Sequence, residues 1–138
     1  MCKWIRYILL ICVPLLCLLT WYGCGKQEKS TSELIADLKS SQEKERVIAV
    51  RLLPGRKGDA VLTVPALIEA LKDRENDIRW SAAIGLGNLG ESAEVAVPAL
   101  QATLKDHDGR VREAAGVALS RIDPSRFSPP TKKPVKGK

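Results

Sequence analysis

The chain has 138 residues, 45% of them hydrophobic but only 4% aromatic, and its four cysteines all lie within the first 24 positions. A core so poor in aromatics has to be built from Leu, Ile, Val and Ala, the composition of packed helices rather than of a sandwich, and the length leaves room for one small domain. The formal net charge of +6 does not describe a nucleic-acid groove: Gly25 to Asp123 holds 15 Lys or Arg against 16 Asp or Glu, and the excess sits at the two ends.

Residues 1–23 open with Lys3 and Arg6, continue through an uncharged run from Tyr7 to Tyr22 and end at Gly23, just before Cys24. A basic start, an apolar middle and a small residue at the boundary form the layout of a removable secretory signal. Permanent spanning is the weaker reading, because the run falls short of the roughly 18–20 apolar residues of a spanning helix and Pro14 interrupts it. Gly23-Cys24 resembles the lipobox of bacterial lipoproteins, whose cysteine receives a lipid and becomes the new N-terminus. Trp21 and Tyr22 depart from that family's aliphatic and small residues. The resemblance implies lipid attachment at Cys24 and a place in the cell envelope, membrane-anchored on the periplasmic side. An uncleaved anchor, ordinary secretion and an artefactual start are the alternatives. Residues 24–32 then read as the lipidated cysteine and a polar, flexible tether.

Three copies of one pattern follow, over 33–60, 64–93 and 97–125. "VPALIEALKD" from Val64 returns as "VPALQATLKD" from Val97, 33 residues later. In the second copy Leu67, Ile68 and Leu71 mark a first helix from Val64, with Pro65 in its first turn. After Asp73-Arg74-Glu75-Asn76, Ile78, Ala82, Leu86 and Leu89 mark one face of a second helix that Gly90 closes. The third copy repeats this with Leu100 and Leu104, then Val111, Ala115, Leu119 and Ile122, with Asp108 placed to cap the second helix. One period earlier, Leu34, Ile35, Leu38, Arg46 and Ala49 fall on the same positions and give a degraded first copy. A lone hairpin leaves its leucines in water, and burying each is worth about 1.5–3 kcal/mol, so the copies have to stack. The expected fold is all-α, a short α-solenoid of helical hairpins.

The pattern Leu-Lys-Asp, short loop, Ile/Val-Arg, two residues, Ala-x-x-x-Leu over 71–86 and 104–119 resembles the HEAT-repeat family, in the short form shared with phycobilisome-lyase-like HEAT proteins. The resemblance implies second helices lining the concave side. It also implies that Asp73 and Asp106, with Arg46, Arg79 and Arg112, form an internal polar ladder across units rather than a catalytic carboxylate pair. Two good copies and one poor one barely reach the number such arrays need, which leaves open a marginal module or one that self-associates.

No residue constellation supports catalysis. His107 is the single histidine, a solvated loop residue without a partner, and no cysteine lies in the repeats, so no metal or cofactor is expected. The deoxyhypusine hydroxylases resemble this repeat class, but they rely on paired His-Glu motifs, which are missing here. Ser81, Ser92 and Ser120 have no base beside them in the pattern. Trp80 is equivalent to Val47 and Glu113, so its position is not obligatorily core. A large aromatic there, beside Arg79, suits a protein-binding hot spot. Packing over Ala83 and Ile84 or on a neighbouring unit is the alternative.

Residues 126–138, with Arg126, Lys132, Lys133, Lys136, Lys138 and several prolines, read as an extended basic tail. It is either solubilising or in contact with anionic lipid or another polyanion, with nothing base-specific. The functional expectation is a membrane-tethered adaptor that binds another protein through Trp80, Arg79, Val47, Arg112 and Glu113. A lyase accessory or chaperone-like HEAT protein of the phycobilin-lyase-like class and a structural envelope module are the other readings.

Overall fold

A computed structural model describes residues 28–127. Six helices alternate in hairpins: α1 (Thr31–Asp37), α2 (Glu43–Leu52), α3 (Ala60–Ala70), α4 (Asn76–Leu89), α5 (Val97–Thr103) and α6 (Gly109–Ile122), followed by a closing turn α7 (Pro124–Phe127). No strand occurs among the described residues. Short 3-10 segments at Leu53–Gly55, Lys57–Asp59 and Gly90–Ala96 carry the chain from each second helix to the next unit.

Local chemistry sets the ends of these helices. Ser30 and Glu33 form a capping box, in which the Ser30 hydroxyl accepts from the Glu33 N–H at 3.3 Å and the Glu33 carboxylate accepts from the Ser30 N–H at 2.7 Å. Asp108 caps α6, accepting from the N–H groups of Arg110 and Val111 at 2.8 and 3.4 Å. Gly90 stops α4 with a φ of 58°, a left-handed conformation that a side chain would strain.

Three boundaries differ from the sequence reading. The flexible tether expected over 24–32 gives way earlier, because the Ser30 capping box starts α1 at Thr31, which is buried. Pro65 is not in a first turn, because α3 begins at Ala60 and places it sixth. Its missing N–H would have served the Val61 carbonyl, and Val61 is 87% exposed, so water can take that role. Pro98 does fall in the first turn of α5. The tail expected from residue 126 starts later: Arg126 and Phe127 belong to α7, Phe127 packs against the core and the Arg126 guanidinium lies 5.3 Å from its ring centroid. Residues 128–138 lie outside the described residues, as do residues 1–27 with the expected signal segment and Cys24.

One apolar cluster runs through all three hairpins. Leu34, Leu53, Leu67, Ile78, Leu86, Leu100 and Leu119 are its largest fully buried members. The most extensive packing between helices is that of α4 against α6. Small residues permit that approach. A Cβ on Gly87 would stand 3.0 Å from the Ala118 Cα, and one on Gly85 would stand 2.6 Å from Cγ of Pro54.

One buried group is left over. The Thr63 hydroxyl is fully buried with no hydrogen-bond partner among the described residues, whereas its counterpart one period on is the buried Ala96. An unpaired buried hydroxyl costs about 1–3 kcal/mol, so Thr63→Val should raise the urea midpoint by the equivalent of about 1 kcal/mol. Gly85→Ala should lower it, because the new methyl meets a rigid proline ring and the cost of overpacking, about 1–3 kcal/mol, exceeds the roughly 1 kcal/mol gained in helix propensity.

Candidate functional site

Each second helix carries an arginine as its fourth residue: Arg46 in α2, Arg79 in α4 and Arg112 in α6. Helical side chains lean toward the N-terminus, so each guanidinium returns to the loop that precedes its own helix. There the Nη1 group donates to two successive carbonyls. Arg46 takes those of Ser40 and Ser41 at 3.1 and 3.2 Å, Arg79 those of Asp73 and Arg74 at 2.9 and 3.1 Å, and Arg112 those of Asp106 and His107 at 2.7 and 3.0 Å. These loop carbonyls sit where the first helix has ended and have no helical donor, so the arginine supplies one.

The rest of the guanidinium reaches into the next unit. Arg46 donates from Nε and Nη2 to the two carboxylate oxygens of Asp73 at 2.8 and 3.3 Å, and Arg79 does the same to Asp106 at 2.9 and 3.0 Å. Both are bidentate pairs, the geometry that suits a planar fork. Both arginines are nearly buried, Arg79 at 5% exposure. Each aspartate also accepts from a backbone N–H two residues on, Glu75 for Asp73 and Asp108 for Asp106, which tightens the turn into the second helix.

Further bonds link equivalent or neighbouring positions across the units. Arg110 donates to Asp77 at 2.9 Å, Arg121 to the Asn88 side-chain oxygen at 2.9 Å, and the Asn76 amide to Asp108 at 2.6 Å. The Asp106 carboxyl is held below the usual carboxylate range, chiefly by the Arg79 guanidinium against the opposing effect of burial. His107 extends its ring into solvent, yet its Nε2 lies 3.1 Å from Arg79 Nη2 and its Nδ1 lies 3.4 Å from Asp106 Oδ1. No cluster of three metal-ligating side chains occurs among the described residues.

The residues expected to form one binding face do not all lie together. Arg79 and Trp80 are adjacent in sequence, but one helical step of about 100° separates them, and Arg79 turns inward to the ladder. Trp80 is 38% exposed and walls a cleft of about 430 Å³ between α2 and α4, together with Val50, Arg51, Pro54 and Ile84. Val47 is half-buried against the core, and Glu113 and Arg112 are exposed. A second cleft, of about 400 Å³, runs between α1 and α3 and is lined by Ile35, Leu38, Val61, Leu62, Pro65 and Ala66. The sequence pattern missed it because Val61 and Leu62 precede the repeated phrase at Val64. Their apolar character was the available signal.

The Arg79–Asp106 pair makes acid sensitivity predictable. A carboxyl whose folded pKa is depressed contributes stability above its unfolded value and loses it as the pH falls through the folded value. The unfolding midpoint should therefore fall as the pH drops below about 4, and Asp106→Asn should flatten that slope. At pH 7 the same substitution should cost about 3 kcal/mol, because it leaves a buried arginine without its counter-charge. Urea titrations of both proteins from pH 7 to pH 3 measure both effects.

A family model described as HEAT repeats matches residues 31–120, and the sequence has no match among the curated proteins. The matched span opens at the first residue of α1 and runs into the last turn of α6, taking in all three hairpins and both bidentate pairs. The chain is therefore a member of the HEAT-repeat family.

Proposed function

We propose that this protein is a non-catalytic, membrane-tethered adaptor that holds another protein against the exposed face of its second helices. The observation that carries the reading is Trp80. A tryptophan 38% exposed over an apolar cleft, with Arg51 and Asn88 exposed at its edge, has the makeup of an interface anchor: a large amphipathic ring with a polar rim. HEAT repeats commonly serve as protein-binding scaffolds, in keeping with this use of the face.

Tethering rests on the sequence: a basic start, an apolar run and Gly23-Cys24, followed by polar residues up to the Ser30 cap. None of the described helices is long and apolar enough to cross a membrane. A tether of this kind puts the hairpins beside the bilayer in the cell envelope. The relation to lyase-accessory HEAT proteins has no counterpart in a pigment-sized enclosed site among the described residues, where the clefts are open and shallow.

Two measurements test the two halves of the proposal. A photo-crosslinking residue at Ile84 should give discrete adducts in envelope membranes, and Trp80→Ala should abolish them with helicity unchanged. Loss of helicity in Trp80→Ala would make the tryptophan a core residue instead. Intact mass spectrometry should show loss of residues 1–23 and an added diacylglyceryl or triacyl mass that Cys24→Ala lacks. An unmodified N-terminus would contradict lipid tethering.

A further inference from the structure

The ladder has an open rung. Arg112 holds its own loop as Arg46 and Arg79 do, but its Nε and Nη2 groups have no partner among the described residues, and residues 124–138 contain no aspartate or glutamate. Around it, positions buried one repeat earlier are uncovered. Leu104 is 42% exposed where Leu71 is 6%, Gly116 and Ser120 are half-buried where Ala83 and Gly87 are buried, and Arg112 is exposed where Arg79 is closed in. Arg46 and Arg79 show what completes such a rung: an aspartate from the loop before a second helix, with small residues on that helix allowing the approach.

The first-unit end of a second copy of this chain does not match that rung. Its first unit presents Ser40 where the others have Asp73 and Asp106. It also presents Ile48 and Leu52, each about half exposed, where the second unit has Ser81 and Gly85 and the third has Ala114 and Ala118. Those are positions where the internal joints tolerate little: a Cβ at Gly85 already meets Pro54 at 2.6 Å. The two ends of the array are therefore mismatched in charge and in size.

We propose that the α6 end of the array is a docking joint for a helical hairpin of a different protein. An aspartate in that hairpin's inter-helix loop enters the Arg112 fork, and its second helix lays small residues on Gly116 and Ser120 beside Leu104. This surface is separate from the Trp80 cleft, and its use does not depend on that cleft binding anything. The basis is charge complementarity in a geometry the chain builds twice within itself. The mismatched first unit keeps the protein from polymerising head to tail through the same joint.

The test gives the chain, in detergent, a first unit that matches the α6 joint. The variant Ser40→Asp/Ile48→Ala/Leu52→Ala presents at its first unit what the second and third units present, at one half-buried and two exposed positions. Sedimentation should show wild type without Arg112-dependent association, the triple variant at twice or more the wild-type mass, and the triple variant with Arg112→Ala back at the wild-type mass. A triple variant that stays at the wild-type mass, or that associates equally without Arg112, overturns the proposal. Wild-type association abolished by Arg112→Ala also overturns it, by making a second copy the occupant. If the triple variant loses its helicity, duplicating residues 91–123 in place asks the same question within one chain. The unfolding midpoint should then rise above wild type and fall back with Arg112→Ala in the first duplicate, and no rise would refute the joint.

Discussion

One guanidinium group holds two hairpins in register. Arg79 spends Nη1 on the loop of its own unit and Nε with Nη2 on the aspartate of the next, and Arg46 repeats the arrangement one period earlier. The loop shape inside a unit and the placement of its neighbour are thus set by the same side chain. Removing it would leave loop carbonyls and a carboxylate short of donors at once, which is why a nearly buried charge is retained here. A surface ion pair such as Lys72–Glu69 has no comparable role, since both partners are solvated.

The ladder directs the stacking, and apolar burial drives it. No hairpin alone could enclose its leucines, and the cluster from Leu34 to Leu119 is continuous only because α2, α4 and α6 lie against one another. The closeness of that contact depends on Gly85 and Gly87, where the space for a methyl is already taken by Pro54 and Ala118. Packing of this tightness fixes the spacing, and the arginine forks fix the sliding coordinate. The two constraints together leave one arrangement. The binding surfaces proposed above are those that stacking among the described hairpins does not use: the exposed face with Trp80, and the α6 end.

Much of this was legible because a repeat displays its own constraints. The 33-residue period located the hairpins, Asp108 and Gly90 located helix ends through cap chemistry, and the recurrence of Arg and Asp at fixed positions pointed to a structural pair. The failures also have physical causes. Pro65 pointed to a first turn, yet the Ala60–Thr63 segment extends the helix because an exposed position can leave one carbonyl to water. Arg79 was grouped with Trp80 by adjacency, although helical rotation sends them to different sides. Phe127 looked like part of a polar tail because a single aromatic gives no periodic signal, and its burial depends on a tertiary contact.

Native-state hydrogen exchange of wild type against Arg46→Met tests most directly whether the arginine fork couples each unit to the next. In wild type the slowest amides of α2, α4 and α6 should exchange through a common opening. In the variant, α1 and α2 should lose protection by at least about tenfold, some 1.4 kcal/mol, while α4 and α6 keep theirs. Equal loss across all units, or no loss in α2, would contradict the fork as the link between neighbours.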